Sequence, residues 1–275
     1  MRHFVNMYTF KTLCLIPARY DSSRLPGKPL LQINGISIIN RVCQQVNQCR
    51  QVNTVIVLTD DPRIQREVQA TGVRCELVTE PCLNGTERIV KWFRQTGATA
   101  ELIVNVQGDE PYINPEHIDQ CIENYHRNAG PEVRCSTLHF LMEPEADKMD
   151  RSTGKLVLDR FNNILYCSRN PIPGGKNWVV HPEARYYGHI GVFVFDPVYL
   201  LNEYLVGNTV YQLCEDIEWL KILEDGYRIN SVLVTAPEIS VDTPEDYAFL
   251  KAKYERVCQV EQDYRRLFLP NFKIV

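Results

Sequence analysis

The strongest constraint on the fold is an alternation of two kinds of segment along the first half of the chain. Short apolar runs, typical of buried strands, lie at TLCLI (12–16), TVIVLT (54–59), RCELV (74–78) and ELIVNV (101–106). Stretches with helical spacing or helix-start signals lie between and after them, at 36–49, from Pro62 behind its cap Asp61, at 87–95, and from Asn114-Pro115-Glu116. This order predicts an α/β fold with a doubly wound, mostly parallel sheet and helices on both faces.

The second half is less regular and predicts a smaller inserted sheet that serves as a lid or dimer arm. Two runs, 155–159 and 163–167, flank a probable hairpin turn, and strands are predicted at 189–195 and 229–235. Helices are predicted at 215–223 and from Thr243-Pro244, where Asp246 completes a capping box. The sequence divides into an irregular extension (1–11), one domain (12–258) and a C-terminal tail (259–275).

Composition excludes several classes of partner. The 275 residues carry 30 basic and 34 acidic side chains, a net charge of -4, which argues against nucleic acid or an anionic membrane as partner. No apolar run reaches bilayer length. The ten cysteines have no zinc-ligand spacing, which favours free thiols in a reducing, cytoplasmic compartment over a disulfide-rich secreted protein.

A turn-rich segment after the first strand, "IPARYDSSRLPGKPL" (16–30), concentrates three cations: Arg19, Arg24 and Lys28. It leaves the carboxyl end of a strand, where doubly wound sheets bind ligands. The three cations suit the phosphates of a nucleotide, although the segment has no Walker motif. On spacing alone, a solvated surface loop explains it equally well.

Two aspartates follow strands that are far apart in sequence. Asp109 lies in "VQGDEP" after 101–106, and Asp242 lies in "VDTPED" before the last helix. Two such carboxylates can share one hard cation such as Mg²⁺. Spacing alone leaves the alternative that Asp242 caps the helix and Asp109 shapes a turn.

Five segments, in the same order, resemble the 3-deoxy-manno-octulosonate (Kdo) cytidylyltransferases, which belong with the sialate enzymes to the sugar nucleotidyltransferases. They are the opening loop (16–30), "NGTERI" (84–89), "VNVQGDEPYI" (104–113), "YCSRNPIP" with "GHIGVFVF" (166–173 and 188–195), and "VDTPEDY" (241–247). The resemblance implies a Rossmann-like nucleotide-diphospho-sugar transferase fold, CTP and a sugar acid as substrates, Mg²⁺ as cofactor, a homodimer, and a role in lipopolysaccharide biosynthesis.

The resemblance also implies roles for individual residues. Asp109 and Asp242 would hold the metal, and Arg19 and Lys28 would join them in catalysis. The nucleotide would be bound by Arg19, Arg24, Lys28, Asn84, Gly85, Thr86 and Arg88. The sugar would be bound by Gln107, Lys155, Arg169 and His189. Helix spacing adds Glu215 and Glu218, predicted on one face of the 215–223 helix, where one could accept from a sugar hydroxyl or both could be solvated.

Several features depart from the family pattern and leave alternatives open. Asn84 stands where the family has Ser, and the stretches after 173 and around 215–229 differ in the half that faces the sugar. The alternatives are a cytidylyltransferase for another acidic sugar, amino-Kdo or sialate-type, and a non-catalytic nucleotide-binding member. A glucose-1-phosphate-type enzyme would have a glycine-rich first loop, which is absent here.

Overall fold

The computed structural model describes residues 9–22, 24–143, 148–175, 183–204, 208–235, 237 and 240–268, with side chains to residue 257. Its strands are β1 Thr9–Ala18, β2 Gln32–Ile33, β3 Ile36–Ser37, β4 Thr54–Thr59, β5 Arg74–Leu77, β6 Thr99–Val106, β7 Val133–Leu141, β8 Lys155–Leu158, β9 Ile164–Ser168, β10 Tyr187–Phe195 and β11 Arg228–Val234. Its α-helices are α1 Ile38–Val46, α2 Pro62–Gln69, α3 Gly85–Thr96, α4 Pro115–Asn128, α5 Pro197–Asn202, α6 Val210–Glu215, α7 Leu220–Glu224 and α8 Pro244–Phe268.

The main sheet has the strand order β11-β7-β10-β6-β1-β4-β5. Neighbours are parallel except around β10, which runs antiparallel to both β6 and β7. The predicted doubly wound, mostly parallel sheet is therefore confirmed. Because β10 is reversed, its amino end lies at the edge where β1, β6 and β11 have their carboxyl ends. Residues that precede or begin β10 therefore meet residues that follow the parallel strands.

The predicted hairpin forms, with β8 and β9 antiparallel and Asn162 in the left-handed conformation at the turn (φ 62°). It is not a separate sheet, because β8 also pairs with the start of β10 and so branches from the main sheet. Strand β7, which the sequence analysis did not predict, lies between β10 and β11.

The prediction of one continuous helix at 215–223 is wrong. Helix α6 ends at Glu215 because Asp216 adopts the left-handed conformation (φ 52°), which a right-handed helix cannot include, and α7 begins only at Leu220. Glu215 and Glu218 therefore do not share a helix face. The helix predicted at 36–49 is shorter, since β2 and β3 form a two-stranded sheet before α1.

Regular elements extend into both predicted end segments. Strand β1 begins at Thr9, and the rest of the predicted N-terminal extension lies outside the described residues. Helix α8 continues to Phe268, past the predicted start of the C-terminal tail at residue 259.

Two apolar cores cover the two faces of the sheet. Alternate residues of β1 point to opposite cores, with Leu13 and Leu15 in one and Cys14 and Ile16 in the other. The first core includes α3, α5 and α7, and the second includes α1, α2 and α4. The cysteines whose side chains are described are free thiols, as predicted. None of the described helices combines the length and apolarity that a bilayer crossing requires.

Candidate active site

A cleft of about 750 Å³ opens at the edge where β1, β6 and β11 end and β10 begins. Most of the residues singled out in the sequence meet in it: Arg19, Arg24, Lys28, Asn84, Gly85, Arg88, Gln107, Asp109, Arg169, His189, Glu218 and Asp242. Three do not line it, namely Thr86, Lys155 and Glu215.

The carboxylates of Asp109 and Asp242 converge on one cation, the ammonium of Lys28. Lys28 Nζ lies 2.8 Å from Asp109 Oδ2 and 3.3 Å from Asp242 Oδ1, and Arg24 lies 3.2 Å from the same Asp242 oxygen. The backbone N–H of Val241 donates to the Asp109 carbonyl at 2.9 Å, which fixes one aspartate beside the other. Burial lowers the pKa of Lys28, but the two carboxylates outweigh it and raise that pKa above its ordinary value.

The donor set suits a hard divalent cation whose coordination is completed by substrate. Asp109 Oδ1 is buried and lacks a hydrogen-bond partner among the described residues. Within the same residues, no His, Cys, Asp or Glu joins the pair to form a cluster of three. Mg²⁺ is commonly bound by one or two carboxylates together with phosphates and water.

Asp242 does not cap helix α8. The cap is the predicted box of Thr243 and Asp246, in which Asp246 Oδ2 accepts from the Asp242 and Thr243 N–H groups and Thr243 Oγ1 accepts from the Asp246 N–H. The side chain of Asp242 contacts only Lys28 and Arg24 among the described hydrogen-bond donors. The capping explanation of this aspartate is therefore excluded.

The cation-rich loop between β1 and α1 forms one wall of the cleft. Gly27 adopts a left-handed conformation (φ 70°), and its N–H closes the loop on the Tyr20 carbonyl at 2.9 Å. Arg19 is exposed in the wall, whereas the Lys28 side chain is mostly buried. The loop is therefore a built wall of the cleft and not an isolated surface turn.

The "NGTER" segment approaches the same wall at the start of α3. Asn84 is the helix cap, accepting from the Glu87 N–H at 2.8 Å. Gly85 lies against Pro17, since a Cβ at this position would be 2.7 Å from Pro17 Cγ. The absence of a side chain lets the two loops pack together.

Thr86, predicted to bind the nucleotide, is hydrogen-bonded within the protein. It is 1% exposed, its hydroxyl donates to Glu218 Oε1 at 3.0 Å, and its N–H lies 3.3 Å from Glu218 Oε2. Asn105 donates to the same hydroxyl at 3.2 Å. Thr86 thus joins α3 to the segment between α6 and α7, and burial raises the pKa of Glu218.

Arg88, predicted to contact a phosphate, is committed to the protein. The residue is 4% exposed, and its guanidinium donates to the Val78 carbonyl and to Asp60 Oδ2, each at 2.8 Å. The other oxygen of Asp60 accepts from the Tyr20 N–H at 3.3 Å. Arg88 therefore supports the cation-rich loop through Asp60.

Two residues predicted to bind the sugar instead hold backbone in place. The ammonium of Lys155 is fully buried and donates to the carbonyls of Asp150, Thr153 and Arg169, so its three donors are used. Glu215 accepts from the Arg169 N–H at 3.0 Å and is not among the residues that line the cleft.

Arg169 lines the cleft but also joins three chain segments. Its guanidinium donates to the carbonyls of Arg151, Ser152, Glu215 and Asp216 at 2.8–3.1 Å. The contacts orient a planar cation at the cleft wall.

Gln107 and His189 both line the cleft where β6 ends and β10 begins. The Gln107 N–H donates to the Gly191 carbonyl at 3.0 Å, and a Cβ on Gly191 would lie 2.6 Å from Gln107 Oε1. Next to them, burial and then the charge of Asp109 raise the pKa of Glu110 to about 8.

Two features of the cleft were missed in the sequence. One is the 150–154 segment before β8, where exposed Arg151 adds a cation to the lining. The other is Trp219, whose ring lies 5.1 Å from that of His189. In the sequence, the 150–154 segment was noticed only through Lys155, at the end of "STGK" (152–155). No pattern in the sequence pointed to Trp219.

Comparisons with known proteins find relatives over most of the chain. The family model described as cytidylyltransferase matches residues 13–229. A 3-deoxy-manno-octulosonate cytidylyltransferase of Protochlamydia amoebophila is 36% identical over 86% of this chain and 92% of its own, and the mitochondrial one of Arabidopsis thaliana is 36% identical over 84% and 79%. A solved CMP:2-keto-3-deoxy-manno-octonic acid synthetase complexed with CTP superposes with a TM-score of 0.80 at 33% identity, covering 90% of this chain and 99% of that one.

Proposed function

Because the chain belongs to the family of 3-deoxy-manno-octulosonate cytidylyltransferases, we propose that it activates Kdo with CTP, forming CMP-Kdo and pyrophosphate. The observation that carries the proposal is the convergence of Asp109 and Asp242 on Lys28, beside Arg19 and Arg24, at the carboxyl edge of the sheet. In this reaction the anomeric hydroxyl of the sugar attacks the α-phosphorus of CTP in line, and pyrophosphate leaves.

The cation-rich loop supplies the charge that this reaction needs. Two donors of the Lys28 ammonium go to the aspartates, which leaves one for a phosphate oxygen. Arg19 and Arg24 lie in the same wall and neutralise the triphosphate as negative charge moves to the leaving pyrophosphate. The Asn84-Gly85 turn forms the adjoining part of the nucleotide site.

Asp109 and Asp242 are the residues that would hold Mg²⁺ in the proposed enzyme. When bound, the ion would neutralise phosphate charge and lower the pKa of the attacking hydroxyl. The proposal is supported by the partnerless Asp109 Oδ1 and by the absence of a capping role for Asp242.

The sugar acid occupies the opposite side of the cleft. Gln107, His189 and Arg169 line this side, and together they offer hydrogen bonds to hydroxyls and a cation for the carboxylate. Lys155 and Glu215 act behind them, by holding the backbone of Arg169. Arg151 adds a second cation that suits an acidic sugar.

A pyrophosphate-release assay tests the proposed function. Each of CTP, UTP, GTP and ATP is paired with Kdo, 8-amino-Kdo, a sialic acid and glucose 1-phosphate. We expect release only with CTP, and fastest with Kdo. Preference for amino-Kdo or sialate would move the assignment within the family, and equal use of UTP or ATP would contradict it. CTP binding without turnover of any sugar would favour a non-catalytic member.

We also propose that the enzyme is a cytoplasmic homodimer. Large exposed apolar side chains are concentrated on the β8–β9 hairpin and on α6, where Leu165 and Leu213 are 62% and 63% exposed. The free, mostly buried thiols suit a reducing compartment. Light scattering should give a dimer mass for the parent and a monomer mass for Leu213→Glu, whereas Val198→Glu, at an exposed position of α5, should leave the dimer intact.

A further inference from the structure

His189 occupies a position in which the chemistry of its ring is decided by one neighbour. It is near the amino end of β10, lines the cleft, and packs its ring 5.1 Å from both Phe193 and Trp219. One ring nitrogen, Nε2, lies 3.0 Å from the hydroxyl oxygen of Thr137 on β7. No other hydrogen bond to the ring is formed by the described residues.

The hydroxyl of Thr137 has its proton engaged elsewhere. The β10–β7 ladder pairs His189 with His139 and Ile190 with Leu138, then loses register and resumes at Phe193 opposite Thr137. Inside this bulge the Val192 carbonyl accepts from Thr137 Oγ1 at 2.7 Å, and Thr137 is completely buried. A carbonyl oxygen can only accept, so the single proton of the hydroxyl points to Val192.

The remaining capacity of Thr137 Oγ1 is that of an acceptor, so Nε2 of His189 must carry the hydrogen in their contact. Burial, and to a lesser degree His139, lowers the pKa of His189 to about 3, so the ring is neutral near pH 7. A neutral ring with hydrogen on Nε2 has a lone pair on Nδ1.

We propose that Thr137 is a positioning residue that fixes His189 as the Nε2–H tautomer, so that Nδ1 accepts a hydrogen bond from a hydroxyl of the sugar. An unprotonated nitrogen repels a carboxylate, so this subsite takes a hydroxyl and the carboxylate of the sugar acid goes to the cations. The part concerning the sugar rests on the proposed function, whereas the tautomer does not.

The tautomer is tested on the ligand-free full-length protein. Long-range ¹H–¹⁵N spectra of ¹⁵N-histidine protein, with the His189 signals assigned by their loss in His189→Gln, distinguish the two ring nitrogens. We expect a protonated Nε2 and an unprotonated Nδ1 throughout pH 5–8. A ring with hydrogen on Nδ1, or a charged ring at pH 7, would overturn the proposal.

The role of Thr137 is tested with two variants that differ by one hydroxyl. In Thr137→Val, whose side chain keeps the shape, the KM for Kdo should rise about tenfold while the KM for CTP stays unchanged, the size expected for one lost hydrogen bond. Thr137→Ser should restore the KM for Kdo to within about twofold, because it regains the acceptor. A parental KM for Kdo in Thr137→Val would refute the positioning role.

The two tests keep this inference separate from the function on which it rests. If Thr137→Val does not fold, the spectra of the parent and of Thr137→Ser decide the tautomer. If no sugar acid is a substrate, the proposed function fails and so does the role of Nδ1 towards the sugar. Ligand-free spectra of Thr137→Val, compared with those of the parent, then still decide whether Thr137 fixes the tautomer of His189.

Discussion

At the scale of single residues, Asp242 and Asp246 form a matched pair, four positions apart with separate tasks. Asp242 faces Lys28 in the cleft, and Asp246 caps α8. We expect Asp242→Asn to lower kcat about 100-fold or more, because the amide keeps the shape and removes the charge that a hard cation requires. Asp109→Asn should behave alike. Rates across a Mg²⁺ titration, with melting curves of the ligand-free variants, provide the measurement.

Asp246→Ala is the control for this prediction. Loss of the cap should cost about 1 kcal/mol of stability and leave the Mg²⁺ dependence of the rate unchanged. Asp242→Asn protein that melts normally and reacts at the parental rate would remove the aspartate from the catalytic machinery.

Substitution of Arg88 distinguishes a role in supporting the cation-rich loop from direct contact with a phosphate. Arg88→Met removes a buried guanidinium that donates to Asp60 and to the Val78 carbonyl, so we expect a loss of about 1.5–3 kcal/mol in the unfolding free energy of the ligand-free protein. The KM for CTP should rise as well, since Asp60 holds the Tyr20 N–H. A large rise in that KM with unchanged ligand-free stability would instead favour a direct phosphate contact.

At the scale of elements, the sequence predicted those helix starts that depend on side chains close in sequence. The caps at Asp61 and Asn114 and the box of Thr243 and Asp246 each depend on side chains within four residues, and the structure has all of them. The end of α6 was not predictable in this way. There the carboxylate of Glu218 bonds Thr86, which is 132 residues away, and the left-handed Asp216 turns the chain towards it.

The bond between Glu218 and Thr86 therefore joins the wall that faces the sugar to the start of α3. In Glu218→Ala two donors lose their acceptor, and we expect the unfolding free energy to fall by about 1.5–3 kcal/mol. The KM values for CTP and Kdo should both rise, because the Asn84-Gly85 turn loses support. Glu218→Gln, which keeps an acceptor oxygen, should lie between the two.

The matched control is Glu215→Ala, which removes a carboxylate only three positions away that faces Arg169 instead of α3. It should raise the KM for Kdo and leave that for CTP unchanged. Equal effects of the two substitutions on the KM for CTP would contradict the separate contacts described here.

At the scale of the whole molecule, the alternation of strands and helices predicted the sheet, because burial on both faces forces continuous apolar runs in its strands. The convergence of Asp109, Asp242 and Lys28 was predictable only through the family resemblance. Thr86, Arg88 and Lys155 were assigned from the family resemblance and Glu215 from helix spacing, but all four lie outside the cleft or are bonded to protein. A motif shows which residue type is present, but the group to which that residue hydrogen-bonds depends on long-range packing.

The same long-range packing makes the stability of the molecule sensitive to acid. His139 is a buried residue of β7 whose Nδ1 lies 2.8 Å from Ser231 Oγ on β11, and burial lowers its pKa to about 4. Below pH 6.5 the unfolded chain binds a proton on this histidine that the folded protein excludes. The unfolding free energy is therefore unaffected by His139 titration above pH 6.5 and decreases as the pH falls towards 4. The upper limit of this decrease in the unfolding free energy is about 3 kcal/mol.

His139→Asn keeps a polar group near Ser231 and removes the titration. Urea unfolding at pH 7.5 and pH 4.5 should show a smaller acid-induced loss of stability in His139→Asn than in the parent. His189 and His117, whose pKa values are also lowered by burial, contribute to the loss that remains. His126→Asn, which changes an exposed histidine on α4, should lose as much stability as the parent. If His139→Asn also loses as much as the parent, proton exclusion at His139 does not contribute to the acid sensitivity, and the buried strand pair β7–β11 must tolerate a charged imidazole.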